Sequence, residues 1–283
     1  MTMKEDGVTL IKIGGSCISD KKKPKSFFPE VIDFVSKAIN DNNLNAIIIH
    51  GGGSFGHPVA KKYSISSGRK KDIKDQDLGF CLTHEAMEEL NNLILNRLLA
   101  NKVNAFPVQP SSIFQVDNQQ IHGCNDSIIG SLVKDNFVPV LYGDAVLDAT
   151  RGFTILSGDA IISYISGMKE ITLKRIIYLM DVDGVYDKNP KMNDDAKLFK
   201  SIFIKDEEVL VEKGGVFSPL KEEIQTEDEA IDVTGGIFNK INELVKLNNK
   251  GIEIYLINGQ KENGITDLIK GKLDNYTKIL YIE

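Results

Sequence analysis

Five glycine-bearing clusters punctuate this chain, and the residues around them are those that handle phosphate. The first is Lys12-Ile13-Gly14-Gly15-Ser16. Strand alternation over Val8 to Ile13 places Val8, Leu10 and Lys12 on one face, so the lysine stands near the end of a buried strand. A buried ammonium is costly unless an anion is close. Two glycines just beyond it let backbone N–H groups approach that anion with no Cβ in the way. A tight turn with a lysine reaching water would use the same residues. The second cluster runs from His50 to Pro58 as HGGGSFGHP. Gly51, Gly53 and Gly56 satisfy G-x-G-x-x-G, but a dinucleotide site also needs a strand ending in an acid about 20 residues on. Ser66-Ser67-Gly68-Arg69-Lys70-Lys71 follows instead. A glycine-rich phosphate cradle fits better, with donors facing those of Gly14 and Gly15 if the two strands are neighbours. His57 closes that loop, where an imidazole can donate to a phosphate oxygen or serve a structural contact.

The remaining clusters extend the pattern. Ser157-Gly158-Asp159 opens a helix, and Asp159 either caps it or anchors a lysine of the site. Asp181-Val182-Asp183-Gly184-Val185-Tyr186 is a polar turn after a strongly apolar strand, able to border a ribose or an adenine or simply to turn the chain. Thr234-Gly235-Gly236 precedes a helix whose N-terminus offers free N–H groups and a partial positive charge. Lys240, one turn in, leans back toward an anion held there. Walker A, HRD/DFG, HExxH and GxSxG patterns are all missing. Phosphate is implied by another route.

The elements that must position these clusters alternate. Apolar runs at Val8 to Ile13, Asn45 to His50, Val103 to Val108, Phe137 to Tyr142, Arg175 to Asp181 and Ile252 to Ile257 predict strands, with a short one at Thr154 to Leu156. Continuous runs such as Ala46-Ile47-Ile48-Ile49 point to a sheet covered on both faces. Helical periodicity predicts Pro29 to Asn42, Asp77 to Ala100, Asn125 to Asp135, Asp159 to Ser166 and Gly236 to Asn249. Strand and helix in alternation give an α/β sandwich, read as one domain with two lobes. Ser64 to Asp77 reads as a mobile loop, and Asp187 to Asp195 and Glu222 to Glu229 as hairpin tips or flaps. Phe80, Cys81, His84, Met87 and Leu90, spaced by three or four, either wall an apolar pocket or pack as core or dimer contact.

Composition narrows the class. The formal charge is −6, from 34 Lys and Arg against 40 Asp and Glu, which leaves no electrostatic footprint for nucleic acid or an anionic membrane. Cys17, Cys81 and Cys124 are too scattered for a disulfide framework or a zinc site, and suit buried hydrophobes in a reducing cytosol. The charged start MTMKEDG shows no signal peptide, and no apolar run approaches the ~20 residues that cross a bilayer. A soluble, cytoplasmic protein is expected.

In their order along the chain these clusters resemble the amino acid kinase superfamily, and within it the archaeal-type isopentenyl phosphate kinases. The likeness runs nearly end to end: KIGGS from Lys12, Ser19-Asp20-Lys21, HGGGSFGHPVAKKY from His50, Gln109-Pro110-Ser111-Ser112, Gly143-Asp144, Ser157-Gly158-Asp159, DVDGVY from Asp181, and IDVTGG from Ile231 with Lys240. The resemblance implies a three-layer α/β/α sandwich around a mostly parallel sheet, with an acceptor lobe over about residues 1–167, a nucleotide lobe over about 168–283 and a homodimer. It implies that Lys12, Gly14, Gly15, Ser16, Gly53, Gly235 and Lys240 contact ATP, with Asp181, Asp183 and Tyr186 beside the nucleoside. It further implies that Gly52, Gly53, His57 and Gly158 hold the acceptor phosphate, that Lys21 stabilises transition-state charge, and that Asp159 organises the lysines. Mg²⁺ would bridge the ATP phosphates, with no dedicated metal ligands. Two departures stand out: Ile237 replaces a usual methionine, and Ala160 stands where a second acid often follows. A phosphonate or carboxylate kinase of the same fold, or a non-catalytic nucleotide-binding protein, are the rival readings. The four arginines, Arg69, Arg97, Arg151 and Arg175, are few for a carboxylate pocket.

Overall fold

The computed structural model describes residues 6–20, 22–125, 127–224, 241–245, 247 and 251–282. Fourteen strands are found among them: β1 Val8–Ile13, β2 Ala46–His50, β3 Ala105–Pro107, β4 Phe114–Asp117, β5 Gln120–Cys124, β6 Val138–Tyr142, β7 Asp144–Asp148, β8 Gly152–Leu156, β9 Leu173–Met180, β10 Ser201–Lys205, β11 Glu208–Lys213, β12 Val216–Pro219, β13 Glu253–Asn258 and β14 Thr277–Tyr281. The helices that matter for the site are α1 Gly15–Ile18, α2 Pro29–Asp41, α3 Gly53–Lys62, α4 Gln76–Ala100, α5 Pro110–Ile113, α6 Ser127–Lys134, α7 Gly158–Ser166, α8 Leu220–Glu223 and α9 Gly264–Ile269.

Ten strands form one sheet in the order β12-β11-β10-β14-β13-β9-β1-β2-β6-β3. Its centre is parallel, with β1 between β2 and β9, and β6, β3 and β13 continuing in the same sense. Antiparallel pairing is confined to the β13–β14 pair and the β10–β11–β12 edge. Every residue of β1, β2 and β6 is buried, as expected of parallel strands covered on both faces. Ile11, Ile13 and Ile48 share a core with Val31, Ile32 and Val35 of α2, Leu90 and Ile94 of α4, and Ile265 of α9. Leu10, Ile47, Ile49 and Tyr178 share the other with Ile129 and Val133 of α6, Ile161, Ile162 and Ile165 of α7, and Ile241 and Leu244. Helices thus cover both sides, and the expected three-layer α/β/α sandwich is what the chain forms.

Three features depart from the sequence expectations. The glycine cluster after β2 is not a loop ending at His57; it opens α3, so His57 sits within a helix, on its exposed side. The stretch from Ser64 to Asp77 is pinned in place. Gln76 is buried, accepts from Lys70 N (2.7 Å) and donates to Ser64 O (3.3 Å) and Gly68 O (3.1 Å), while Arg69 N reaches Arg151 O across at the β7–β8 turn (2.8 Å). One buried amide satisfying three backbone groups fixes a loop that its polarity alone marks as mobile. A second sheet, β5-β4-β7-β8, escaped notice almost entirely because its strands are short and mixed in polarity. Cys17 is buried and its thiol pushed up to about 12, chiefly by that burial; Cys81, by contrast, is exposed.

Candidate active site

The site forms where parallel strands end side by side. In register, Ile13 lies opposite His50 on β2 and Leu179 on β9, so the segments that follow must meet. Gly14 N donates to Leu179 O (2.9 Å), and Gly51 N to Ile13 O (2.9 Å). A Cβ on Gly15 would stand 2.5 Å from Gly53 N and 2.7 Å from Gly53 Cα, and one on Gly51 would stand 3.1 Å from Gly15 N. The two glycine clusters are therefore backbone-on-backbone neighbours, at a distance no side chain allows. Ser19, which went unremarked as a site residue, fastens them: its Oγ donates to Gly15 O (2.7 Å) and accepts from Ser54 N (2.9 Å). Gly53 takes φ +48°, and a Cβ there would lie 2.2 Å from Ser19 Oγ.

Lys12 points from the other face of β1 and is 5% exposed. Its Nζ is 3.5 Å from Asp159 Oδ1 on α7. Gly158 makes this possible, since a Cβ there would fall 2.1 Å from Lys12 Nζ and 3.0 Å from Ile49 Cγ2. Ser157 Oγ accepts from Ala160 N (3.0 Å) and fixes the start of α7. Two buried polar atoms beside the lysine lack hydrogen-bond partners among the described residues: Asp159 Oδ1 and the Tyr178 hydroxyl. Tyr178 is paired with Lys12 in register, and its pKa is driven up by burial and then by Asp159. Orphaned groups around a buried cation mark a place built for a ligand or ordered water. Gly143, after β6, closes the far side: its N donates to His50 O (3.1 Å), and a Cβ on it would approach Gly158 N to 3.3 Å.

On the β9 side, Asp181 accepts from Ser16 Oγ (3.0 Å) and is ion-paired to Lys191. Burial opposes its charge, yet the Lys191 ammonium and the Ser16 hydroxyl outweigh that and hold its pKa low. Asp183 accepts from Asn258 Nδ2 (3.1 Å) and pairs with Lys261 Nζ (2.7 Å). Tyr186 bridges to Leu198 across the base of the loop that carries Lys191, in line with the hairpin-tip expectation. Lys12, Gly14 to Ser16, Gly51 to Gly53, Gly158, Asp159 and Asp181 are thus tied by direct contacts at one edge of the sheet. His57 belongs to the helix that starts at this edge, where Met87 of α4 fills the space that a Cβ on Gly56 or Gly52 would need. Lys21, Gly235 and Lys240, with the rest of the last glycine cluster, lie outside the described residues.

His50, never singled out from sequence, supports the second cluster. It is fully buried, stacked on Tyr142 at 5.3 Å, with Nε2 3.2 Å from Asn91 Oδ1. Burial, with a smaller contribution from Lys12, pulls its pKa down to about 4. Because the folded value lies below the unfolded one, ~6.5, this residue's contribution is complete above that value and is lost as pH falls toward 4. At full extent it amounts to about 3 kcal/mol. Urea unfolding at a series of pH values is expected to show this acid-side loss in the wild type and a flatter slope in His50→Gln.

The amino acid kinase family model matches residues 7–258. The chain belongs to the amino acid kinase family. Among curated amino acid kinases it is 34% identical over 276 residues to isopentenyl phosphate kinase of Methanothermobacter thermautotrophicus, covering 95% of this chain and 98% of that one. The isopentenyl phosphate kinase of Methanocaldococcus jannaschii is 37% identical over 191 residues, 64% of this chain and 72% of its own. A solved isopentenyl phosphate kinase superposes with a TM-score of 0.77 at 30% identity, covering 96% of this chain and 99% of that one. UMP kinase from Ureaplasma parvum, at 18% identity and a TM-score of 0.59, shares the fold alone.

Proposed function

We propose that this protein transfers the γ-phosphoryl group of ATP to isopentenyl phosphate, giving isopentenyl diphosphate and ADP for isoprenoid biosynthesis. The observation that carries this is the contact of the two glycine clusters beside buried Lys12, taken with the near full-length likeness to isopentenyl phosphate kinases. An acceptor phosphate oxygen forms a bond to the γ-phosphorus while the bond to the β,γ-bridging oxygen breaks and ADP departs. The acceptor is already an oxyanion, so no general base is required; catalysis consists of alignment and cancellation of charge.

In this assignment Gly14, Gly15, Ser16 and Gly53 cradle the ATP phosphates, with Lys12 between the two substrates. Gly52, His57 and Gly158 hold the acceptor phosphate. Asp159 keeps Lys12 charged and oriented. Lys21 and Lys240 supply further positive charge, Gly235 a backbone donor, and Asp181, Asp183 and Tyr186 border the nucleoside. Mg²⁺ in this reading takes most of its ligands from the triphosphate. When bound, the ion neutralises charge on the phosphate oxygens.

Residues up to about 167 form the acceptor lobe and those after it the nucleotide lobe. The protein works as a cytoplasmic homodimer; Phe106 packed edge-on against Phe137 while both remain 41% exposed supports the dimer. Light scattering at the working concentration checks the dimer.

ADP release measured with isopentenyl phosphate, dimethylallyl phosphate, fosfomycin and acetylglutamate tests the acceptor. The two prenyl phosphates are expected to turn over and the other two to fail. Preferential turnover of fosfomycin or acetylglutamate would replace this assignment with the corresponding rival.

A further inference from the structure

Helix α4 carries His84, Met87 and Asn91 at the three- and four-residue spacing that lines side chains up along one helix face. Each meets a different part of the site. Asn91 Oδ1 lies 3.2 Å from Nε2 of His50, the residue before Gly51. Met87 packs on the glycine cluster that follows: a Cβ on Gly52 would stand 3.1 Å from its Sδ, and one on Gly56 would stand 2.4 Å away. His84 reaches the far side, where its Nδ1 meets the carboxylate of Asp144 at 2.8 Å.

The Asp144 side chain is fully buried, and a carboxylate there needs donors. Two come from the backbone, Ala145 N to Oδ1 (2.8 Å) and Ser111 N to Oδ2 (3.3 Å). Among the described residues, His84 is the one side chain that donates a third. That hydrogen bond is the main reason the imidazole pKa is raised. Gln109 Nε2, 2.6 Å from the other ring nitrogen, holds the ring in this orientation. Asp144 in turn governs Gly158. It follows Gly143, where a Cβ would approach Gly158 N to 3.3 Å, and it pairs in register with Leu156, two residues before Gly158. One helix face thus holds Gly52 through Met87 and Gly158 through His84 and Asp144.

We propose that His84 is a positioning residue for the acceptor: its bond to Asp144 ties the β7–β8 pair to α4 and so sets how far Gly158 stands from Gly52. The inference rests on the assignment of those two glycines to the acceptor phosphate. His84 acts through Asp144, not on a substrate atom. Without the bond, the buried carboxylate turns to another donor, the turn at Gly143 shifts with it, and the Gly158 N–H no longer meets a phosphate held at Gly52. The nucleotide side is fastened separately, by Ser19 between Gly15 and Ser54 and by Ser16 on Asp181, and stays in place.

Two amide substitutions separate the ring nitrogens. His84→Asn puts its amide nitrogen where Nδ1 stands and keeps the bond to Asp144; His84→Gln puts it nearer Nε2, toward Gln109, and loses that bond. Steady-state kinetics of both variants and the wild type vary each substrate while the other is saturating. In His84→Gln the KM for isopentenyl phosphate is expected to rise about tenfold or more, the worth of one hydrogen bond to a charged group. The KM for ATP should stay within about twofold, and His84→Asn should restore the acceptor KM to within about threefold of wild type. A purely structural role would weaken both substrates alike and would not tell the two amides apart. Unchanged acceptor kinetics in His84→Gln, equal losses for both substrates, or a His84→Asn variant no better than His84→Gln would overturn the proposal. Wild-type turnover beside unaffected variants refutes this inference alone. No wild-type turnover of isopentenyl phosphate refutes the acceptor assignment, and the inference with it.

Discussion

Replacing Lys12 by methionine is expected to lower kcat with isopentenyl phosphate by about 10²- to 10³-fold, the usual loss when one preorganised charge-stabilising group is removed. Methionine nearly matches the length of the lysine stem and suits its neighbours, since Leu10 precedes it on the same face and Ile49 pairs with it in register. The fold should therefore survive, as far-UV circular dichroism would show. The ammonium acts on charge that spreads over the transferring oxygens, so kcat and kcat/KM should fall together with little change in KM. Loss of ATP affinity with normal kcat would instead make Lys12 a ground-state binding group. Wild-type kinetics would remove it from the site.

Gly158→Ala is the second substitution with a large expected effect, and it tests how the lysine is placed. Gly158 begins α7 with no positive φ, so alanine is conformationally acceptable and even favours the helix. The added methyl group would still fall 2.1 Å from Lys12 Nζ, and the ammonium must leave its present position. A loss of about 10²-fold in kcat is expected, because misplacement of a reacting or stabilising group by about 1 Å costs that much. The double variant Lys12→Met with Gly158→Ala should be no worse than Lys12→Met alone, since both act through one ammonium. Additive losses would show that the added methyl group also disturbs the acceptor phosphate assigned to Gly158, and does not act through the ammonium alone.

Much of this arrangement could be read from the chain because it depends on local rules. Val8 to Ile13 is an apolar run broken only by Thr9 and Lys12, and the strand has those very limits. The meeting of Gly14-Gly15 with Gly51–Gly53 followed from adjacent parallel strands ending in glycine. What sequence reading missed depends on contacts between distant residues. Ser19 looks like any loop serine until Gly15 O and Ser54 N arrive at its hydroxyl. His50 is indistinguishable from a catalytic histidine by position; only its burial against Tyr142 and Asn91 marks it as a neutral support. The partners Lys191 and Lys261 were lost among surface lysines, because the pairing of Asp181 and Asp183 is set by how the β9 and β13 ends are brought together. Glycines and Pro58 argue against a helix around His57, yet α3 accommodates that proline within its first two turns.

The central claim is that one anion-filled crevice holds two phosphorylated molecules and joins them. Phosphorus NMR of the protein with ATP, Mg²⁺ and isopentenyl phosphate tests it most directly. The account predicts that the monoester resonance is replaced by the coupled pair of a prenyl diphosphate, in step with conversion of ATP to ADP. ATP consumed to inorganic phosphate with the monoester unchanged would contradict it.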